Sequence, residues 1–151
     1  MDIKETLNKM IVTNFHEFQE LEKRALATDE FSDITCNDMH IIEAIGLEGD
    51  SKMGEVAGRL NITVGALTTS MNNLVHKGYV DRRRSKKDRR VVNVYLLDKG
   101  VAAYHHHEEF HRRMIDSVME VLTPEQLEVL TVSLEQLKVF FYSFKTDDDQ
   151  I

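Results

Sequence analysis

From Thr63 to Gly100 the chain runs through a helix-forming stretch, a glycine and two strand-like runs around a burst of positive charge, a succession few folds accept. Val64, Leu67, Met71 and Leu74 recur at helical spacing and predict a buried stripe, with Thr63 as N-cap and Gly78 as the C-terminal stop. The other side of that helix presents Thr68, Thr69, Ser70, Asn72 and Asn73, short hydrogen-bonding groups suited to base edges in a major groove. Thr63 and Gly65, at its N-terminal end, belong to the same predicted surface. Seven Arg or Lys residues follow from Arg82 to Arg90, flanked by Tyr79-Val80 and by Val91 to Leu97. Because Val92, Val94 and Leu96 alternate with Asn93 and Tyr95, the second run predicts a strand with one buried face. The charge then sits at a hairpin tip, where it can meet a phosphate backbone or a minor groove.

The overall net charge of -7 seems to oppose nucleic-acid binding until it is divided along the chain. Residues 52–99 hold eleven Lys or Arg against four acids, a net of +7, which leaves -14 for the remainder. An acidic body with one basic module approaches DNA by that module. At 151 residues and 42% hydrophobic content, the length suits one compact domain. No run is apolar enough for a membrane helix and the amino terminus lacks a basic signal-peptide start, so a cytoplasmic location is expected. The single cysteine, Cys36, permits no internal disulfide.

In chain order, Ile3, Leu7, Met10, Ile11, Phe15, Phe18, Leu21 and Ala25 step by three and four and predict one long amphipathic helix. Thr28 to Asp33 breaks it, and a second helix is expected over Ile34 to Leu47. Ser51 is read as the cap of a short helix through Leu60, with Asn61 making the turn before Thr63. The spacing is that of a helix-turn-helix, and the following hairpin is a wing. Asp98 or Lys99 to about Leu122 predicts a helix of roughly 23 residues, near 34 Å long at about 1.5 Å per residue. Thr123 caps the last helix, with Pro124 in its first position and Gln126 completing a capping box. Leu127, Leu130, Leu134, Leu137, Phe141 and Phe144 then form a seam that wants a helical partner, and Asp147 to Gln150 is read as a frayed acidic tail. The expected fold is mainly α with a small β-wing, a winged helix-turn-helix core at about 34–99 between long N- and C-terminal dimerisation helices at about 1–33 and 100–146.

The helix-turn-helix followed by Asp88-Arg89-Arg90-Val91-Val92-Asn93-Val94-Tyr95-Leu96-Leu97-Asp98-Lys99-Gly100 resembles the MarR family of winged-helix regulators. That family's wing signature is Asp-x-Arg, a strand, then Leu-Thr-x-x-Gly. The resemblance covers nearly the whole chain, since long flanking helices are also the family's dimerisation layout. Leu97 stands where the family has a capping Thr, and Lys52 where members often cap the first helix of the pair. Within the family, Met39-His40-Ile41-Ile42, the run from Thr63 to Leu74 and His107-x-x-Phe110-His111 look most like the FabT-type branch, repressors of fatty-acid synthesis genes. The resemblance implies a homodimer that binds double-stranded DNA at A/T-rich palindromes, with long-chain acyl groups on acyl carrier protein as corepressor. On this reading Arg90 enters or overlies the minor groove, Asp88 orients it, and Arg84, Lys86, Lys87 and Arg89 neutralise phosphates.

His107 and His111 lie four apart on one helical face, and His40 can meet them from the second helix. Two readings stay open. One is a pocket for an acyl chain, its hydrocarbon against Met39, Ile42, Met114 and Val118 and its polar end near the histidines. The other is a three-ligand zinc site at His40, His107 and His111, similar to that of zinc-sensing family members. His105 and His106 are read as exposed surface residues. Cys36 lies close to Asp33 and Asp38, a poor setting for a reactive thiolate. No enzyme motif or resident cofactor is expected; the rival class is a catalytic or metal-storage protein built on the histidines.

Overall fold

The computed structural model describes residues 2–146, with side chains described as far as 143. Its contacts gather into two compact units, Met1–Phe110 and His111–Ile151. The first begins with α1 (Ile3–Leu26), whose start is capped by the Asp2 carboxylate. In α2 (Cys36–Ile45) the Thr35 hydroxyl accepts from the Asp38 N–H at 3.1 Å, while Asp38 accepts from the Thr35 N–H at 2.9 Å. This box, and Gly46 at φ 72°, cut the helix shorter at both ends than the Ile34 to Leu47 expected from sequence.

Next come β1 (Ser51–Lys52), α3 (Met53–Leu60), α4 (Val64–His76), β2 (Val80–Arg84) and β3 (Val92–Leu96). The strands form one antiparallel sheet in the order β1-β3-β2, with Ser51 opposite Val94 and Arg82 opposite Val94 on the other side. Ser51 is therefore not the helix cap expected from sequence. It lies in a strand and donates its hydroxyl to the Ile45 carbonyl at 2.8 Å, while Lys52 takes the N-cap position and Glu55 accepts from its N–H. Asn61, at φ 53°, makes the left-handed turn into α4, as its sequence position predicts.

The core of this unit is formed by Phe31, Met39, Ile41, Ile42, Ile45, Val56, Leu67, Met71, Leu74, Tyr79, Val80, Val94 and Ala103, all nearly free of solvent. At about 1.5–3 kcal/mol for each large side chain buried, this cluster holds α2, α3, α4 and the sheet as one body. Leu67, Met71 and Leu74 behave as the helical stripe predicts. Val64 does not, being 49% exposed at the mouth of the helix pair.

α5 (Asp98–Val121) begins directly after β3. Asp98, to which the cap was expected to move from Leu97, is the first residue of the helix, and the Leu97 carbonyl accepts from the Val101 N–H at 2.9 Å. Gly100 is required there, because a Cβ would stand 2.1 Å from the Tyr79 carbonyl oxygen. α5 runs on into the second unit, which ends with α6 (Pro124–Thr146). The Thr123 box forms as expected, with Gln126 accepting from the Thr123 N–H at 2.9 Å and Thr123 from Gln126 at 3.3 Å. Leu130, Leu134, Leu137 and Phe141 are exposed on α6, as are Ile3, Leu7, Met10, Ile11 and Phe15 on α1. Phe144 of the expected seam, as a side chain, and the acidic tail at 147–150 lie outside the described residues.

Candidate nucleic-acid interface

The first turn of α4 is set by the Thr63 hydroxyl, which accepts from the Ala66 N–H at 3.1 Å. One turn later Thr68 faces a cleft of 630 Å³ between α4, the start of α3 and the wing, lined by Lys52, Met53, Gly54, Glu55, Val64, Thr68, Arg82, Arg90, Val91 and Val92. Thr68 and Arg90, distant in sequence, thus look into one space. The Thr68 hydroxyl donates to the Val64 carbonyl at 2.7 Å. What it offers a base is therefore its methyl group and an acceptor oxygen, matched to a thymine methyl or an exocyclic amine. Thr69, Asn72 and Asn73 are exposed along the same helix, Ser70 is half-buried, and Gly65 is open at its start.

On the wing, Asp88 Oδ1 accepts from the Arg90 backbone N–H at 3.0 Å and from its Nε at 3.3 Å, which fixes the side chain's direction. The Arg90 side chain stays 93% exposed, ready to exchange water for phosphate or groove. Arg84, Lys86, Lys87 and Arg89 are also exposed. Arg83 differs from them. Its guanidinium reaches Asp50 at 2.6 and 3.1 Å and the Gly49 carbonyl at 3.2 Å, and it lies 4.7 Å over the Tyr95 ring. The Asp50 carboxylate raises its pKa further. One cation of the run is thereby committed to holding the wing against the α2–β1 loop. Sequence reasoning named neither Lys52 nor Arg82 as interface residues. Arg82 was legible as part of the cationic run, whereas Lys52 is brought there only by the pairing of β1 with β3.

Two of the histidines, His40 and His107, form a second, partly buried site. Glu22, 5% exposed on α1, places Oε1 at 2.5 Å from His40 Nε2 on α2 and 3.7 Å from His107 Nε2 on α5. His107 is also 5% exposed, and Glu43 Oε2 stands 3.4 Å from its Nε2. The structure brings His40 and His107 together, their ring centroids 5.9 Å apart, through an acid that sequence reasoning missed. Nothing in the sequence distinguishes Glu22 from the other acids of α1. His111 follows one turn later on α5 and falls in the second unit, as do Met114 and Val118, which are half-buried. Met39 and Ile42 are packed in the core at 1% and 0% exposure, so an acyl chain meeting them must part that packing.

Carboxylate and imidazole are donors that suit zinc. Two ligands of one tetrahedral zinc at about 2.0–2.2 Å stand roughly 3.3–3.5 Å apart, so the closer Glu22 to His40 contact is a hydrogen bond that would have to open. His105 is exposed as expected and pairs with Glu108 at 3.1 Å. His106 is not an exposed surface residue: its Nε2 donates to the Ala25 carbonyl at 2.7 Å and its ring meets Phe31 at 5.1 Å. Burial, and then the Glu22 charge, push the Cys36 thiol up, away from the thiolate a redox sensor needs.

A family model described as transcriptional regulator SarA/Rot matches residues 27–106, the stretch that contains the helix pair and the wing. Among solved structures, the chain is similar to Streptococcus pneumoniae FabT in complex with DNA, at 33% identity and a TM-score of 0.89 over 93% of this chain and 99% of that one. The fold is also that of a Cys-to-Ser mutant of E. coli MarR complexed with operator DNA, at 23% identity and a TM-score of 0.70 over 91% of this chain and 99% of the other. Among curated proteins, the Bacillus subtilis transcriptional regulator MhqR is 24% identical over 82% of this chain and 80% of its own length.

Proposed function

Because the chain belongs to the MarR family of winged-helix transcriptional regulators, we propose that it is a dimeric cytoplasmic repressor that docks two copies of α4 in the major grooves of an A/T-rich palindrome. Its fold and relatives are those of regulators, not enzymes. The observation that carries the reading is the shared cleft, in which Thr68 of the helix and Arg90 of the wing face one space. A base-reading group and a cation for the minor groove and its phosphates can then engage neighbouring parts of one half-site. The exposed apolar rows on α1 and α6 support a homodimer, because a lone chain gains nothing by presenting them to water. Sedimentation at micromolar concentration should give about 35 kDa, twice the 17.5 kDa chain, and Leu134→Glu or Phe141→Glu should dissociate or unfold it.

The regulated genes are those of fatty-acid synthesis, with long-chain acyl groups on acyl carrier protein as corepressor. This finer reading is supported by the three runs of FabT type and by the 33% identity to FabT itself. An effector wedged beside α5 acts on the spacing of the two α4 helices, which must match about 34 Å of DNA for both halves to dock. It raises operator affinity by no more than its own preference for that spacing.

The second reading, zinc control through His40, His107 and His111, is supported by the Glu22 carboxylate 3.7 Å from His107, which offers a further oxygen donor. Selection of bound sequences from random DNA, with and without acylated carrier protein or zinc, tests both. A palindrome enriched more strongly with acylated carrier protein supports the acyl reading. Calorimetric zinc binding lost in His107→Ala, with no response to acylated carrier protein, replaces it by the metal reading, and no enriched sequence sinks both.

A further inference from the structure

The segment between α1 and α2 reaches the DNA-reading elements through one residue. Asp33 Oδ1 accepts from the Tyr79 hydroxyl at 2.5 Å, and its Oδ2 lies 3.4 Å from Lys99 Nζ. Its main-chain carbonyl accepts from Lys77 Nζ. Lys77 is the C-cap of α4, Tyr79 leads directly into β2, and Lys99 is the second residue of α5. These are the three points at which the recognition helix, the wing and the long helix meet.

Tyr79 is the centre of that junction. Its N–H donates to the Leu74 carbonyl at 3.0 Å, and its carbonyl accepts from the Leu97 N–H at 2.9 Å. Its ring is wholly buried, with the Lys99 ammonium 4.4 Å above it. The backbone of α5 comes so close at Gly100 that a Cβ would strike the Tyr79 carbonyl. A phenylalanine would fill the same space. The hydroxyl is needed only to reach Asp33, whose side chain is 43% exposed and contributes little to the core. The bond is charge-assisted: the Tyr79 hydroxyl, and after it Lys99, hold the Asp33 carboxyl below its ordinary range, while burial and Asp33 push the phenol far up, so it stays a donor.

We propose that Asp33 and Tyr79 are positioning residues for DNA reading, fixing α4 and the wing against α5 and the α1–α2 segment so that Thr68 and Arg90 meet one half-site. The inference rests on the DNA-binding reading above and names residues that do not line the cleft. Because packed junctions shift between discrete arrangements, loss of one tie changes the angle at which two recognition helices are presented without removing any DNA contact.

The test uses full-length wild type, Tyr79→Phe, Asp33→Asn and the double variant, each bound to the selected operator and to random DNA over a salt series, beside thermal melts. At a temperature where all four are folded, each single variant should lower the operator-to-random ratio on the order of tenfold. Random-DNA affinity and salt slope should stay at wild-type values, and the double variant should be no worse than either single one. Variants that melt earlier but keep the wild-type ratio would assign the tie to stability alone and overturn the inference. If wild type itself does not discriminate operator from random DNA, it is the DNA-binding reading that fails.

Discussion

The wing cleft and the Glu22 cluster both gather charged side chains from distant parts of the chain, but they treat those charges in opposite ways. At the cleft, Asp88 aims Arg90 and leaves it 93% exposed, and Lys52 and Arg82 line the same space. At the cluster, Glu22 and His107 are each 5% exposed and are met by His40 and Glu43. A charge left in water costs the fold little and keeps its capacity for an outside partner, whereas a buried charge must be satisfied from within. The first arrangement suits a long, salt-sensitive DNA surface. The second is a partly buried cluster, in which any new ligand has to displace a bond the protein already makes.

The largest effect that can break this contrast is on stability. Glu22→Ala takes from the buried His107 one of its two acids and from the half-buried His40 its 2.5 Å partner, and should lower unfolding stability by about 1–3 kcal/mol in denaturant titration. The salt slope of DNA binding should not move, and if it does the two regions are not separate. A smaller effect comes from the Asp33 tie that stands between them. Its folded pKa lies below the ordinary value of 3.8, so its stabilisation is fully present above that value and fades as pH falls through the lower folded one. The stability gap between wild type and Asp33→Asn should therefore be constant from neutral pH down to about pH 5 and close below 3.8. The smallest expected effect sharpens the account of the wing itself. Arg83→Ala should leave the salt slope of operator binding almost unchanged, because that guanidinium is already spent on Asp50, while Lys87→Ala should lower it.

The readability of each element from sequence follows the range of the interaction that makes it. The Thr123, Pro124 and Gln126 start of α6 and the Thr63 cap of α4 were legible because donor and acceptor lie three residues apart. The hairpin was legible because alternation and charge are local. β1 was not: Ser51 and Lys52 look like a helix start and become a strand only by pairing with Asn93 and Val94. Val64 kept the helical period yet lies at the cleft mouth, because the period names a stripe and does not say how far along the helix its neighbours extend. Glu22, and the bond from His106 to the Ala25 carbonyl, join elements about 20 to 80 residues apart, and no pattern in one sequence marks such pairs.

The central claim is that one cleft combines a base reader with a cation that acts on groove shape and phosphate charge, and the pair Thr68→Ala and Arg90→Ala tests it in a single assay. Each variant is titrated with operator and random DNA across a salt series. Loss of Arg90 should weaken both DNAs alike and flatten the salt slope by about 0.9 per contact removed. Loss of Thr68 should leave the slope intact and narrow the gap between operator and random DNA by roughly 1–3 kcal/mol per site. Two variants that lose affinity in the same way, with the same change in slope and the same change in discrimination, would contradict the claim.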